Sequence, residues 1–363
     1  MKTLSLLIKP ASSGCNMQCG YCFYQAIAEH RLKADHGLMT PETVRQLLKR
    51  VQAHLTSGDR LEIAFQGGEP TLAGLSFFQD FTRQADDLLP GIRVDYSLQT
   101  NGLRLDEDWA LFFKERDWLI GLSLDGPMTH DRYRPDRSGN NTFERVMAAK
   151  QLLDEYHIDY NVLSVLTPEL SNQADEWFDW LIAQGIEHAQ LIPLISPLGS
   201  PEVGLRPEQF YRFYHRLIER WLERLRSGEW LHIQLIDHLI EQIGTGRVRL
   251  CGLDGRCRLQ YVIEADGTLY PCDFYATDEY RLGSILEHSF LDLARTPKAK
   301  QFLAERSELT EVCQGCAYVS LCAGGCRRLQ GAMYLGRDKT YCGYQRLLTV
   351  YYPTLRQIAQ KLL

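Results

Sequence analysis

The chain has 363 residues, 45% of them hydrophobic, enough for a barrel-sized domain and a smaller companion with real cores. A formal net charge of −6 gives no electrostatic reason to expect nucleic acid or an anionic membrane as partner. No window approaches the ~20 apolar residues of a membrane span, and Lys9-Pro10 interrupts an apolar start already too short for a signal peptide.

The expected location is therefore the cytoplasm, where eleven cysteines, an odd number, argue for metal ligation or catalysis rather than disulfides. Strand patterns fall at 4–8, 61–65, 94–98, 120–124, 160–166 and 189–194. Amphipathic helix patterns alternate with them at 41–54, 75–89, 107–116, 143–156 and 174–184, and a longer one follows at 207–226. Thr40 is the expected N-cap of the first, with Pro41 at its first helical position. This alternation predicts an α/β fold with a parallel sheet of six βα units, short of a full eight-stranded barrel. Phe210, Tyr211, Phe213, Tyr214 and Trp221 sit at helical spacing and read as packing. The Arg327-Arg328 pair reads as solvated or structural rather than as a phosphate-binding stripe.

The cysteines divide the chain. Cys15, Cys19 and Cys22 lie near the start, and the other eight fall between Cys251 and Cys342. The first three form a Cys-x3-Cys-x2-Cys loop after the first strand. Cysteine thiolates hold iron–sulfur clusters. Three of them with no fourth nearby would leave one iron of a [4Fe–4S] cluster open to another ligand. The spacing also fits a zinc site with a distant fourth ligand.

The loop Cys15-Asn16-Met17-Gln18-Cys19-Gly20-Tyr21-Cys22, with an aromatic residue before its third cysteine, resembles the motif of radical S-adenosylmethionine (SAM) enzymes. Phe65-Gln66-Gly67-Gly68-Glu69-Pro70 at the end of the second strand resembles that family's glycine-rich segment for the SAM amino group. Further matches are Leu98-Gln99-Thr100-Asn101-Gly102, Gly121-Leu122-Ser123-Leu124-Asp125-Gly126-Pro127 and His130-Asp131-Arg132-Tyr133-Arg134. Over essentially the whole chain the run is similar to the anaerobic sulfatase-maturating enzymes. The resemblance implies a partial (β/α)6 barrel over residues 1–230 and a loop-rich SPASM domain with a C-terminal helix over 231–363. It implies SAM contacts at Tyr21, Gly68, Glu69, Ser123, Arg134 and Ile195, the last by apolar packing near the adenine.

The C-terminal cysteines read Cys251-x5-Cys257-x14-Cys272, then Cys313-x2-Cys316-x5-Cys322-x3-Cys326-x15-Cys342. Eight divide into two four-thiolate sites, so that three plus four plus four uses all eleven. Cys-x2-Cys is equally a zinc spacing, and zinc knuckles are the alternative. The resemblance implies three [4Fe–4S] clusters, with Cys251, Cys257, Cys272 and Cys326 around one auxiliary cluster and Cys313, Cys316, Cys322 and Cys342 around the other.

It also implies a general base at Asp273, in Tyr270-Pro271-Cys272-Asp273-Phe274-Tyr275, and a substrate cavity lined by Tyr24 and Gln66. The implied reaction oxidises a Cys or Ser side chain to Cα-formylglycine in an unfolded sulfatase carrying a Cys/Ser-x-Pro-x-Arg motif. A flavodoxin- or ferredoxin-type protein is the implied electron donor. The alternative enzyme is a SPASM-type maturase that crosslinks another ribosomal peptide. Such enzymes often carry an N-terminal peptide-recognition module, and a first strand within a few residues of Met1 leaves no room for one. A zinc-binding interaction protein is the alternative of another class. The ten histidines form no ligand pattern and read as surface or satisfied core.

Overall fold

Strand β1 (Thr3–Ile8) alternates exposed and buried residues, the pattern of a strand with one face on a core. It pairs in parallel with β2 (Arg60–Phe65), β2 with β3 (Arg93–Thr100), and β3 with β4 (Leu119–Ser123). The computed structural model describes residues 1–197 and 204–362. Two compact units emerge, each built from discontinuous segments. The first comprises Met1–Ser123, Asp131–Tyr160 and Arg258–Ala304; the second comprises Leu124–His130, Asn161–Cys257 and Glu305–Leu363.

In the first unit the strands are joined by α1 (Phe23–Glu29), α2 (Pro41–His54), α3 (Leu75–Leu88) and α4 (Glu107–Glu115). The expected cap of α2 is present: the Thr40 hydroxyl accepts from the Thr43 N–H at 3.1 Å, with Pro41 at the first turn. An aromatic cluster fills the space under the sheet, where Phe65 contacts Phe78, Phe81 and Trp118 with ring centroids 5.1–5.7 Å apart. The one-turn helix α5 (His130–Tyr133) and the longer α6 (Phe143–Glu155) follow β4.

In the second unit β5 (Tyr160–Leu166), β6 (His188–Pro193) and β7 (His232–Ile233) run parallel. They are linked by α7 (Ala174–Ala183) and by α8 (Pro207–Arg226), which precedes α9 (Gln234–Thr245). The six strands and six helices expected from periodicity are all found, with ends shifted by at most two residues. Phe210, Phe213, Tyr214 and Trp221 are buried as packing residues, and Tyr211 is half-buried.

Besides β7, three further strands escaped the sequence pattern because they are two or three residues long. They are β8 (Val262–Ile263), β9 (Thr268–Tyr270) and β10 (Gly283–Ser284). They matter for function: β8 pairs in parallel with β1, Leu7 opposite Val262 and Ile8 opposite Ile263. That pairing carries Glu264, Cys272 and Asp273 into the first unit. The remaining C-terminal cysteines lie in short helices and turns, and the chain ends in a long helix, Gly343–Leu362.

Candidate active site and cluster-binding cysteines

The three-cysteine loop has almost no regular structure of its own, so its shape must come from neighbours. The Gln18 N–H donates to the Pro135 carbonyl at 3.0 Å and the Gly20 N–H to the Tyr133 carbonyl at 2.9 Å. Arg137 Nε donates to the Cys15 carbonyl at 2.5 Å. The segment after α5 thus holds the loop open along one side. Tyr21 stacks on Tyr133 with centroids 5.4 Å apart, and the buried Arg134 guanidinium lies 5.4 Å from the Tyr21 ring centre. Two of the expected SAM contacts, Tyr21 and Arg134, are thereby brought together.

The glycine-rich segment closes the other side. The Gly68 N–H donates to the Ser12 carbonyl at 2.9 Å and the Glu69 N–H to the Gly14 carbonyl at 2.7 Å. A Cβ on Gly68 would sit 2.0 Å from the Gly14 oxygen, so only glycine allows this approach.

Glu69 follows, almost fully buried. One carboxylate oxygen accepts from the Thr71 N–H at 3.0 Å, the Thr71 hydroxyl at 2.7 Å and the Thr100 hydroxyl at 2.8 Å. The other accepts from the Asn101 N–H at 2.8 Å. Burial pushes its carboxyl up, against these hydrogen bonds. Most of the capacity of Glu69 is thus spent on tying the end of β2 to the end of β3. The Ser123 hydroxyl accepts from Gln99 Nε2 at 2.9 Å and keeps its own proton to donate. Ile195 is buried in the second unit, just past β6.

Asp273 is the focus of the site. Tyr24, two residues beyond Cys22, donates its phenol proton to Asp273 Oδ2 at 2.5 Å, across a separation of 249 residues. The same hydroxyl lies 3.3 Å from Gln66 Oε1. The Asp273 N–H is held by Gln260 Oε1 at 3.0 Å. Burial, and then the Asp273 charge, push the Tyr24 phenol well up, so it stays a donor.

Sequence reasoning missed the partner on the other oxygen. Lys9 is 2% exposed, and its ammonium lies 2.8 Å from Asp273 Oδ1 and 3.6 Å from Glu264 Oε1. It also sits 4.7 Å from the centre of the Tyr24 ring. Among the described residues no donor is aligned on Oδ1 for a hydrogen bond, so Lys9 and Asp273 meet as an ion pair. Glu264 in turn takes Arg31 Nη1 at 2.7 Å and the Ser12 hydroxyl at 2.9 Å. Burial opposes its ionisation, but Lys9 and then Arg31 hold its carboxyl below the usual range. The available signal was a lysine directly after the alternating strand Thr3–Ile8 and before Pro10.

The cysteines fit clusters on their own chemistry. Burial, with Glu69, Cys19 and Cys22 nearby, pushes the Cys15 thiol up to about 12. A thiol raised in this way becomes a thiolate when a metal cation replaces its proton. In the second unit Cys313, Cys316, Cys322 and Cys342 line one cavity with Val312, Val319, Leu335, Tyr334 and Tyr344. Burial raises Cys322 and brings Cys342 up to about 11, with neighbouring thiolates adding to both. A dry pocket walled by four thiols suits a four-thiolate cluster. In the same unit the Cys326 thiol is raised by burial and by the charge of Cys257, and a Cβ on Gly252 would lie 2.7 Å from Cys326 Cβ. Cys251 is exposed in that unit, while Cys272 is buried in the first.

Comparison with known proteins agrees with these features. Residues 10–181 match the radical SAM superfamily, and residues 251–317 match an iron–sulfur cluster-binding (SPASM) domain. A cysteine-type anaerobic sulfatase-maturating enzyme of Clostridium perfringens is 38% identical over 334 residues, 90% of each chain. The chain belongs to the anaerobic sulfatase-maturating enzyme family. A serine-type member from Klebsiella aerogenes is 31% identical over 98% of this chain and 87% of its own. The solved structure of anSMEcpe with bound AdoMet and Cp18Cys peptide superposes with a TM-score of 0.90 at 34% identity, covering 99% of this chain and all of that one. Streptococcus suis SuiB, at 18% identity and a TM-score of 0.62, shares the fold.

The protein is thus a radical SAM enzyme with the family's partial barrel and SPASM domain, and iron–sulfur clusters and SAM are its cofactors. The zinc-binding alternative is set aside by these family matches.

Proposed function

We propose that the enzyme oxidises a cysteine in an unfolded sulfatase segment, within a Cys/Ser-x-Pro-x-Arg motif, to Cα-formylglycine. The observation that carries this reading is the hydrogen bond from Tyr24 to Asp273, which sets a carboxylate directly beside the three-cysteine loop. Bound SAM and its cluster supply removal of one hydrogen from Cβ of the target residue.

The chain's own residues do the rest. Asp273 Oδ1 takes the proton of the target thiol, a general-base step of the ordinary kind. With one electron passed to an acceptor the product is a thioaldehyde, which water converts to the aldehyde with release of sulfide. Tyr24 and Lys9 fix the carboxylate on either side, so the base does not have to be ordered during the reaction. Gln66, beside Tyr24, lines the substrate side of the site. Tyr21, Gly68, Ser123, Arg134 and Ile195 contact SAM, with Arg134 as the charged donor for its carboxylate. Glu69 acts chiefly as the internal clamp beneath them. Cys15, Cys19 and Cys22 hold the SAM cluster; Cys251, Cys257, Cys272 and Cys326 the first auxiliary cluster; and Cys313, Cys316, Cys322 and Cys342 the second. Residues 1–230 form the barrel domain and 231–363 the cluster domain.

Cysteine rather than serine is favoured by the higher identity to cysteine-type relatives. An extended peptide is required, because an internal side chain must reach a buried carboxylate. Reduction of the SAM cluster needs an outside electron, and a flavodoxin- or ferredoxin-type donor in the cytoplasm would provide it. No helix of the described residues is long and apolar enough to cross a membrane.

The test is a mass spectrum of a short Cys-x-Pro-x-Arg peptide after incubation with reduced enzyme and SAM. An aldehyde product, with deuterium from Cβ appearing in 5′-deoxyadenosine, is expected. A crosslinked peptide without aldehyde would move the enzyme to the other class of peptide maturase. Turnover of the serine peptide alone would reverse the target preference.

A further inference from the structure

The pair of arginines after Cys326 reads from sequence as solvated or structural, and Arg328 fits the second: its Nη2 donates to the Ser196 carbonyl at 3.1 Å. Arg327 does something else. Its Nη2 lies 3.9 Å from the sulfur of Cys257, and its charge also acts on the adjoining Cys326. The other terminal nitrogen of the guanidinium, Nη1, forms an ion pair with Glu305. Both side chains are largely buried, 17% exposed for Arg327 and 25% for Glu305, so solvent screens their charges weakly. All four residues belong to the second unit.

We infer that Arg327 and Glu305 set the reduction potential of the cluster held by Cys257 and Cys326, acting as an opposed pair of charges. This rests on the reading that those cysteines ligate an iron–sulfur cluster. Reduction adds one negative charge to a cluster, so a nearby cation favours the reduced form and a nearby anion disfavours it. A hydrogen bond to a ligand sulfur acts in the same direction as the cation, by spreading negative charge off the cluster. Arg327 supplies both effects at Cys257. Glu305 pairs with the guanidinium through Nη1 and offsets part of its charge.

The arrangement suits the proposed reaction. Oxidation of a thiol side chain to a thioaldehyde removes one hydrogen atom from Cβ, one proton from sulfur and one electron. The proton goes to Asp273, and the electron needs an acceptor whose potential is high enough to take it. A guanidinium at a cluster ligand raises that potential; a carboxylate behind the guanidinium keeps it from rising so far that the electron is never released.

The alternative is that Arg327 and Glu305 only brace the loop after Cys326. The two accounts separate by sign. Redox titration of the reconstituted holoenzyme, followed by electron paramagnetic resonance, should resolve the cluster waves; the wave that responds to added SAM belongs to Cys15, Cys19 and Cys22. Among the other two, Arg327→Gln should move one to more negative potential, and Glu305→Gln should move the same wave to more positive potential. Arg327→Lys keeps the charge and should shift that wave less than Arg327→Gln. Iron and sulfide per chain should match wild type in every variant.

Shifts of both Arg327→Gln and Glu305→Gln in one direction, or no shift with full iron content, would overturn the inference and leave the cluster assignment intact. Loss of one cluster's iron in all three variants, Arg327→Lys included, would show a bracing role instead. Wild-type protein with only one auxiliary cluster would overturn the ligand assignment and the inference together.

Discussion

The ammonium of Lys9 and Oδ1 of Asp273 are 2.8 Å apart at the buried ends of two segments that are 264 residues apart in sequence. Lys9 directly follows β1 and Asp273 follows β9, and the pairing of β1 with β8 brings them to one place. Lys9 also leans on Glu264 and on the Tyr24 ring, so one cation serves two carboxylates and an aromatic face. Arg31 shares the load at Glu264.

Removing Lys9 therefore strands a charge. Lys9→Met should lower stability by about 3–5 kcal/mol, the range for breaking a buried pair on one side only. Turnover should fall further than binding of the peptide, because Asp273 loses one of its two supports. Denaturant titration with a kcat and KM measurement checks both. A variant with wild-type stability and kcat would mean that Lys9 neither holds Asp273 nor neutralises Glu264.

Gly68→Ala should damage the three-cysteine loop selectively. Its Cβ would meet the Gly14 carbonyl oxygen at 2.0 Å, and neither backbone can retreat without losing the Glu69 to Gly14 hydrogen bond. Overpacking of this kind costs about 1–3 kcal/mol or more. Iron should drop by about one third, one cluster of three, and SAM cleavage should be lost. Gly331→Ala, at a position with open space around the added carbon, is the control and should keep all its iron. Full SAM cleavage by Gly68→Ala would show that the contact can relax.

Acid should weaken the fold through Asp266. Burial works against its ionisation, but His36 Nδ1 at 2.7 Å and the hydrogen bonding of Thr268 hold its carboxyl far below the usual range. A carboxyl depressed in the folded state contributes stability above its unfolded pKa of about 3.9 and loses it as pH falls through the folded value. Denaturant midpoints of wild type should fall as pH drops below ~4, and Asp266→Asn should show a flatter fall with a lower value at neutral pH. Equal slopes in both proteins would remove Asp266 from the account.

What could be read from sequence was whatever repeats or clusters locally. The βα alternation appears in the period of the side chains, so β1 to β6 and their helices were found within two residues. The three-cysteine loop and Cys272-Asp273 are short contiguous motifs. Glu69 shows the limit of such motifs: its lone pairs go mostly to Thr71, Thr100 and Asn101, and two of these partners lie some thirty residues away, beyond any local pattern. Lys9, Arg31 and Glu264 were invisible for the same reason. Each is an ordinary charged residue until a two-residue strand, too short to have a period, brings residue 264 beside residue 9. Arg327 was visible as part of a pair, but its neighbours Cys257 and Glu305 were not.

The last prediction separates the two supports of the base from the base itself. Asp273→Asn keeps the shape and can still accept from Tyr24, but it cannot take up a proton at the working pH. Formylglycine production should fall by about 10²–10⁴, the usual contribution of a general base. SAM cleavage should persist, because the proton is removed after the Cβ hydrogen, and the ratio of SAM cleaved to product formed should rise steeply. Tyr24→Phe leaves the carboxylate in place but removes its 2.5 Å hydrogen bond. A misplaced base costs up to about 10² in rate, so this variant should retain more product than Asp273→Asn with a smaller rise in the ratio. Both ratios come from one assay, with 5′-deoxyadenosine by chromatography and aldehyde by mass spectrometry. If Asp273→Asn stops SAM cleavage and product formation equally, the carboxylate acts before or during hydrogen removal, and the base must be another group. If Tyr24→Phe proves the more damaging of the two, the phenol rather than the carboxylate carries the proton, and Asp273 serves to hold Tyr24.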